Sequence, residues 1–432
     1  MIVSVRRFVQ CSVILCAACL AVLFASAGSQ ASGGSPVRAA SKPKRFALAA
    51  QHGIEALLGQ GGKSAVAWDA KTGLWGAHTP PNWWQSALAV MALVRYAERT
   101  GSHSAQIQHV LLRTFDLNRS KPHSAARRDF ADEFMDDTAW WGIAWLDASE
   151  YELEVRHDPG AAGRFLAAAE YDARYIDAHP RRCGGIEWQI GTPPDTITNA
   201  EFVALTAGLA NYRAGSGIFH NAGLAGVWRS EAAGDLRWLE RSKLIDVADG
   251  TVLDSLSANC HARLGGTMTY TEGEVAEALV ALGRALHQPA LDGEAVRFLR
   301  YTVSPVSGLT WHGILEEHCE AVPAGCSTLP NAMDMPAYKG VFVDAVSDWE
   351  AATRSDIFRA FLVDQADAIL ARAVRGPGNT PGNCSSAAEC RFAFHWTPSV
   401  AAGVVDRGTV PTGVGSQESA LDALTVVLPV HS

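Results

Sequence analysis

The sequence predicts an all-α protein folded as an (α/α)6 barrel, in which six helical hairpins form two concentric rings and long loops gather at one rim. Three observations lead to this prediction. Segments with helical apolar periodicity follow one another from residue 43 onward. Several of them, such as residues 138–146, are apolar on every side, which is typical of helices buried all round. Most are joined by short polar or glycine-containing turns, which favour antiparallel pairing.

The periodicity predicts twelve helices. In chain order they cover residues 43–58, 82–100, 105–115, 133–153, 160–179, 197–214, 217–232, 272–287, 293–302, 333–350, 355–373 and 416–427. The long connections cover residues 183–196, 244–271, 304–331 and 375–415, and they hold most of the glycine, proline and cysteine runs. Loops gathered on a rigid scaffold are where functional residues usually lie.

The first residues have the pattern of a secretory signal peptide. Arg6 and Arg7 precede an apolar run over residues 11–24, and small residues offer cleavage sites near Ala27 or Ala31. We therefore predict a signal peptide at 1–31, a flexible leader at 32–42 and one catalytic domain at 43–432. The apolar run is shorter than the about 20 residues of a membrane helix, and the C-terminal residues lack the pattern of a GPI signal. A secreted protein without a stable membrane anchor is expected.

The net charge limits the classes of molecule that the protein is expected to bind. The formal net charge is −9, and loss of two arginines with the signal peptide takes it to −11. An acidic protein is a poor partner for nucleic acid or anionic lipid, so neutral or basic ligands are expected. We expect a monomer.

Six cysteines follow the signal peptide, an even number that predicts disulfides in an oxidising compartment. Their short spacing favours the pairs Cys319–Cys326 and Cys384–Cys390, which leaves Cys183 with Cys260. None of the six belongs to a CxxC pair, so a zinc site is not expected.

The stretch EFMDDTAWWGIAW carries two adjacent acids, Asp136 and Asp137. One interpretation is helix capping, but Asp132 and Glu133 are expected to fill the first turn already. Catalysis is a second interpretation, because two close carboxylates raise each other's cost of ionisation. Adjacent helical residues have Cβ atoms roughly 5–6 Å apart, near the separation of about 5–5.5 Å found in retaining glycosidases.

Metal binding is a third interpretation of the same acids. Asp132, Asp136 and Asp137 together resemble the magnesium-binding acids of helical isoprenoid synthases, but the DDxxD spacing is absent. We therefore expect no metal and no cofactor.

The chain has 13 tryptophans, with pairs at Trp83-Trp84 and Trp140-Trp141. Aromatic faces beside carboxylates are typical of carbohydrate sites, because sugar C–H faces stack on rings while acids accept from hydroxyls.

These residues resemble glycoside hydrolase family 76, the endo-α-1,6-mannanases and their fungal cell-wall transglycosylase relatives. The similarity rests on short motifs in the family's order. They are Trp83-Trp84-Gln85, Asp136-Asp137-Thr138-Ala139-Trp140-Trp141, Gly184-Gly185-Ile186-Glu187-Trp188, Thr198-Asn199, Asp254 before Cys260, Tyr270-Thr271-Glu272-Gly273, Tyr338-Lys339-Gly340 and Ser416 to Ala420. Glu187 replaces a tryptophan of the family pattern and Thr198 a serine, and both departures are expected to alter the walls next to the reacting sugar.

The resemblance implies an (α/α)6 fold and hydrolysis of an α-1,6-linked mannan with retention of configuration. It implies Asp136 as nucleophile and Asp137 as general acid/base. Substrate-binding residues would be Trp140, Trp141, Trp188, Asn199, Asp254, Tyr270 and Lys339. Two alternatives remain: a mannan or GPI-glycan transglycosylase on the same scaffold, and a non-catalytic glycan-binding protein.

Overall fold

A computed structural model describes residues 42–76, 82–120, 129–260, 263–264, 266, 268–321, 326, 333–398 and 413–430. The predicted signal peptide and most of the predicted leader lie outside these residues. Residues Ser41–Ser432 form one compact unit. Within the described part of the chain, no helix is long and apolar enough to cross a membrane.

The described residues contain twelve α-helices, one for each predicted segment. They are α1 (Lys42–Leu57), α2 (Trp83–Thr100), α3 (Ala105–Asn118), α4 (Met135–Glu154), α5 (Pro159–Asp177), α6 (Thr196–Ala214), α7 (Ala222–Ser242), α8 (Thr269–Leu286), α9 (Ala290–Val303), α10 (Tyr338–Thr353), α11 (Arg359–Arg372) and α12 (Val414–Thr425). The largest boundary error is at α7. Its buried Trp228, Leu236 and Leu239 continue one apolar face past Gly234, so tertiary packing outweighs the low helix propensity of glycine.

The helices form two rings, which confirms the predicted (α/α)6 architecture. The six even-numbered helices make a closed inner ring in which each helix packs against the next and α12 packs against α2. The odd-numbered helices lie outside it. The inner helices α4 and α6 are buried on nearly every side, whereas the outer helices α7 and α9 bury one face. This difference in burial is the physical origin of the apolar patterns in the sequence.

Polar side chains define where several helices begin. Ser104, Asp158, Asp195 and Asn221 each accept a hydrogen bond from a backbone N–H in the first turn of α3, α5, α6 and α7, respectively. Such a cap contributes about 1 kcal/mol, because it satisfies an N–H group without an intrahelical partner. Gly101 ends α2 in the left-handed conformation with φ +63°, which glycine adopts without steric cost.

Short β-hairpins occupy the loops, and periodicity did not predict them. The strands are β1 (Trp68–Asp69), β2 (Leu74–Trp75), β3 (Arg181–Arg182), β4 (Gly185–Ile186), β5 (Ile245–Asp246), β6 (Thr251–Val252), β7 (Ser255–Leu256), β8 (Arg263–Leu264), β9 (Thr310–Trp311), β10 (Ile314–Leu315), β11 (Val374–Arg375) and β12 (Arg391–Phe392). Consecutive strands pair antiparallel, two residues in each. Two residues are too short for an alternating pattern to be visible in the sequence.

The three predicted disulfides are confirmed. Cys183–Cys260 joins the connection between β3 and β4 to the loop after β7, and a bridge between Asp195 and Ser255 joins the end of the β4–α6 loop to β7. The other two bonds, Cys319–Cys326 and Cys384–Cys390, close short loops.

Candidate active site

One end of the inner ring opens into a cleft of about 700 Å³. It is lined by residues near the N-terminal ends of α2, α4, α6, α8 and α10 and by the loops between them. They are Trp84, Phe134, Asp136, Asp137, Trp140, Trp188, Thr192, Pro193, Asp195, Ile197, Asp254, Ser255, Leu256, Met268, Tyr270, Asp334 and Tyr338. The positive ends of five helix dipoles therefore converge on a cleft that carries five carboxylates.

The acid pair lies in the first turn of α4, which corrects the predicted helix start. The helix begins at Met135, so Asp132 and Glu133 precede it instead of forming its first turn. Asp132 accepts a hydrogen bond from the N–H of Phe134 at 2.6 Å and thereby shapes the entry to the helix. Asp136 and Asp137 themselves occupy the dipole's positive end, which stabilises a carboxylate there by about 0.3–1 kcal/mol.

The two carboxylates have different surroundings. Burial raises the pKa of Asp136 to about 7, while a hydrogen bond from the Trp188 indole and the backbone N–H of Asp137 oppose that rise. The Trp188 Nε1 lies 2.9 Å from Asp136 Oδ2. Burial, the charge of Asp136 and the nearby acids Asp132 and Asp334 raise the pKa of Asp137 well above its usual range. Asp136 is therefore the member of the pair whose ionised form receives a side-chain donor, whereas burial and the neighbouring acids favour the protonated form of Asp137.

Aromatic rings form the walls of the cleft. Trp84 and Trp140 stack with centroids 6.3 Å apart, and the Trp84 indole donates to Asp334 Oδ1 at 3.1 Å. Tyr270 and Tyr338 stack face to face with centroids 3.8 Å apart. Such flat apolar surfaces with polar edges suit a ligand that has both C–H faces and hydroxyl groups.

Two further acids complete the lining on the α6 side. Asp195 caps α6 by accepting from the N–H of Thr198 at 3.1 Å, and burial raises its pKa well above the usual range. Asp254 Oδ2 accepts from the Ser255 hydroxyl at 3.1 Å. The cleft position of Asp254 agrees with the sequence prediction. Asp195 was not predicted, because an aspartate before an apolar helix reads as an ordinary N-cap.

Four of the predicted substrate-binding residues line the cleft, namely Trp140, Trp188, Asp254 and Tyr270. Sequence reasoning missed Asp334 and assigned no site role to Trp84 and Tyr338, although the two aromatics lie in the quoted motifs. The position of Asp334 beside Trp84 depends on a contact between residues 250 positions apart, which no local pattern encodes.

The predicted contacts of Trp141, Asn199 and Lys339 with substrate are corrected, because all three side chains are fully buried outside the cleft lining. The Trp141 ring packs in the core, 4.8 Å from the rings of Trp83 and Phe130. The Asn199 amide donates to the Ile186 carbonyl at 3.0 Å and fixes β4 to α6.

Lys339 forms a buried ion pair behind the cleft. Its Nζ donates at 2.7 Å both to Glu320 Oε1 and to the carbonyl of Phe394. These contacts hold Glu320 and the segment after β12 against α10, next to Tyr338. Its role in the structure is therefore to support the wall.

Glu187 also lies outside the cleft lining, so any effect it has on the wall passes through the loop it belongs to. Its carboxylate is buried under the loop that follows β4, where it accepts from the N–H of Gly191 at 2.6 Å. The neighbouring Trp188, with Thr192 and Pro193 of the same loop, lines the cleft.

A second cavity of about 450 Å³ opens among the C-terminal halves of the inner helices, away from the acid pair. Its acids are partly neutralised, since Arg95 contacts Asp344 at 2.7 Å and Asp348 at 3.9 Å. Its lining contains no aromatic side chain among the described residues. Among those residues, no group of three His, Cys, Asp or Glu is arranged to hold a metal ion in either place.

A helical double-ring barrel with adjacent acids and aromatic walls in one cleft defines a protein of the glycan-processing class. The chain belongs to glycosyl hydrolase family 76, whose family model matches residues 65–425. Membership supports a glycoside hydrolase or a related mannan-processing activity. No curated protein matches the chain.

Solved structures share the fold at low sequence identity. An inactive variant of the α-1,6-mannanase GH76A of Salegentibacter sp. HEL1_6, in complex with alpha-1,6-mannotetrose, is 16% identical with a TM-score of 0.65, covering 90% of this chain and 99% of that one. Dfg5 from Chaetomium thermophilum, in complex with glucosamine, is 20% identical with a TM-score of 0.68, covering 92% and 94%. The Lin0763 protein from Listeria innocua is 18% identical with a TM-score of 0.64, covering 90% and 97%.

Proposed function

We propose that the protein is a secreted, retaining glycoside hydrolase that cleaves the backbone of α-1,6-linked mannan. The observation that carries the proposal is the unequal environment of the adjacent acids. Asp136 receives the Trp188 indole N–H at 2.9 Å, which favours its ionised form, while burial and neighbouring acids raise the pKa of Asp137 and so favour its protonated form. A nucleophile and an acid are the two roles that double displacement needs.

In the first step the Asp136 carboxylate attacks the anomeric carbon. The bond from that carbon to the glycosidic oxygen breaks, and Asp137 gives its proton to the leaving oxygen. In the second step Asp137, now ionised, takes a proton from water while the water oxygen attacks the anomeric carbon. The ester to Asp136 breaks, and two inversions at one carbon give net retention.

One similar protein supports both the substrate and the acid pair. The Salegentibacter enzyme is an α-1,6-mannanase, and replacing two consecutive aspartates by alanine gives its inactive variant. In this chain, the half-buried Trp84 and the exposed Trp188 offer stacking faces for mannose rings. Asp195, Asp254 and Asp334 offer acceptors for sugar hydroxyls around them.

A transglycosylase is the second candidate, favoured by the similarity to Dfg5. The first step is the same, and a sugar hydroxyl then replaces water as the acceptor. With α-1,6-mannan alone, a hydrolase shortens the chains and creates one reducing end for each bond cleaved. A transglycosylase redistributes chain lengths and leaves the number of reducing ends constant.

A purified chain beginning near residue 43 and its Asp136→Asn variant test the proposal against a binding protein. We expect the native chain to release oligosaccharides from linear α-1,6-mannan and the variant to lose turnover while it still binds mannotetraose by calorimetry. Equal behaviour of the two proteins, or turnover of another glycan but not of this one, contradicts the proposal.

Secretion and a monomeric state remain predictions. Three disulfides support an oxidising compartment. Sizing of the purified protein by light scattering tests the monomer.

A further inference from the structure

The loop between β4 and α6, residues 187–194, is held from beneath by one buried carboxylate. Glu187 is 7% exposed, and its Oε2 accepts from the N–H of Gly191 at 2.6 Å across a tight turn in which Gly191 has φ +87°. A bridge between Glu187 and Pro194 closes the base of the loop. The side chain of Thr192 adds a second tie by accepting from the N–H of Gln189 at 2.9 Å.

The same loop presents its tryptophan to the catalytic pair. The Trp188 indole donates to Asp136 at 2.9 Å, and the Trp188 carbonyl accepts from the N–H of Met135 at 2.8 Å. The ring also lies against Phe134, with centroids 5.0 Å apart. Trp188 is nevertheless 38% exposed, so its own packing does little to fix the indole direction.

We propose that Glu187 is a positioning residue for the reaction, whose buried carboxylate fixes the 187–194 loop so that the Trp188 indole donates to Asp136. The residue touches neither substrate nor the reacting atoms. It acts through the loop conformation, because an immobilised donor aimed at an anion costs no reorganisation when the reaction begins. This inference rests on the proposed function in its assignment of Asp136 as nucleophile.

The surroundings of Asp136 give the direction in which its pKa is expected to move when the Trp188 donor is lost. The titratable groups that interact with Asp136 from the neighbouring elements include the acids Asp132, Asp137, Asp195, Glu201 and Tyr270. The indole N–H is the side-chain donor that offsets burial and these charges. Removing it raises the pKa of Asp136. Because the nucleophile must be ionised, the acidic limb of kcat/KM then moves to higher pH.

The experiment compares Glu187→Ala, Glu187→Gln, Trp188→Phe and the double variant Glu187→Ala/Trp188→Phe. We expect Glu187→Ala and Trp188→Phe each to move the acidic limb up by about one pH unit, which lowers kcat/KM about tenfold below the limb. The double variant moves it no further than Trp188→Phe alone. Glu187→Gln stays near the native profile, because its Oε1 still accepts from Gly191.

Glu350→Ala is the matched control. Glu350 Oε1 likewise accepts a backbone N–H, that of Phe358 at 2.8 Å, in the connection between α10 and α11. We expect it to lower stability as Glu187→Ala does and to leave the acidic limb in place. Three results would each overturn the proposal. They are an acidic limb of kcat/KM that does not move in Glu187→Ala, limb shifts that add in the double variant, and a limb shift in Glu350→Ala equal to that in Glu187→Ala.

A titration of the Asp136 carboxyl by carbon NMR, assigned with Asp136→Asn, separates this proposal from the proposed function. If the native chain fails to cleave mannan, the function is wrong, while the shift of the Asp136 pKa in Glu187→Ala still decides the positioning role. An unchanged Asp136 pKa in that variant contradicts the role whatever the activity.

Discussion

Replacing Cys183 and Cys260 by serine removes the one long-range disulfide and provides a quantitative test of how the cleft loops are held. The two cysteines are 77 residues apart, and the loop-closure relation gives about 4.5 kcal/mol of stabilisation for that length at 25 °C. Cys384 and Cys390 are 6 residues apart, for which the relation gives about 2.2 kcal/mol. The difference, about 2 kcal/mol, arises because a longer closed loop removes more conformations from the unfolded chain.

Urea unfolding of both double-serine variants at 25 °C, followed by tryptophan fluorescence, measures the two losses. We expect turnover of the Cys183→Ser/Cys260→Ser variant to stay within a few-fold of native. The reason is that two other contacts still hold this region: the hydrogen bond from the Arg182 guanidinium to the carbonyl of Ala258 at 3.0 Å and the β-bridge between Asp195 and Ser255. Equal losses from the two variants, or a larger loss from the short loop, would refute the reasoning.

Three further predictions follow from burial and charge. Trp141→Ala is expected to lower the free energy of unfolding by about 3–5 kcal/mol and to leave KM for mannan near native. Trp140→Ala also lowers stability, because Trp140 is only 2% exposed, but it alone raises KM, because Trp140 lines the cleft; a raised KM in Trp141→Ala and not in Trp140→Ala contradicts the assignment. Lys339→Met is expected to cost about 3–5 kcal/mol in urea unfolding, because the buried Glu320 loses its buried cation and keeps only the partly exposed His395 as an ionic partner; a near-native stability contradicts this. The free energy of unfolding is expected to fall as the pH rises from about 4 to about 7. Burial raises the pKa of acids such as Asp136 and Asp147 to about 7, so the folded chain holds protons over this range that the unfolded chain releases. A free energy of unfolding that rises over this range, measured by urea unfolding, would contradict this.

The helices and the disulfides could be predicted because their signals are local. Apolar periodicity marks each helix wherever its neighbours lie, and short cysteine spacing limits the pairing. Boundaries failed where tertiary contacts decide them, as at α7, where buried residues carry the helix past Gly234. The start of α10 is displaced because Met335–Ala337 form a 3-10 turn containing Pro336.

The site was predictable in its chemistry and only partly in its geometry. In a helix that is apolar on every side, the sequence does not say which face meets the cleft. Trp140 and Trp141 differ by about 100° around the axis, and only the first lines it. Lys339 and Asn199 matched motifs, yet their polar atoms bind backbone carbonyls that come from other segments. Asp334 was missed because it lies in the cleft through a contact with the distant Trp84, which no local motif indicates.

The anomeric configuration of the first product is the measurement that tests the central claim most directly. Proton NMR during cleavage of α-1,6-mannan resolves the new reducing end before mutarotation scrambles it. Adjacent carboxylates on one helical turn, with Asp136 ionised and Asp137 protonated, predict that the α-anomer forms first. Initial release of the β-anomer would mean a single displacement by water, and the assignment of Asp136 as nucleophile would be wrong.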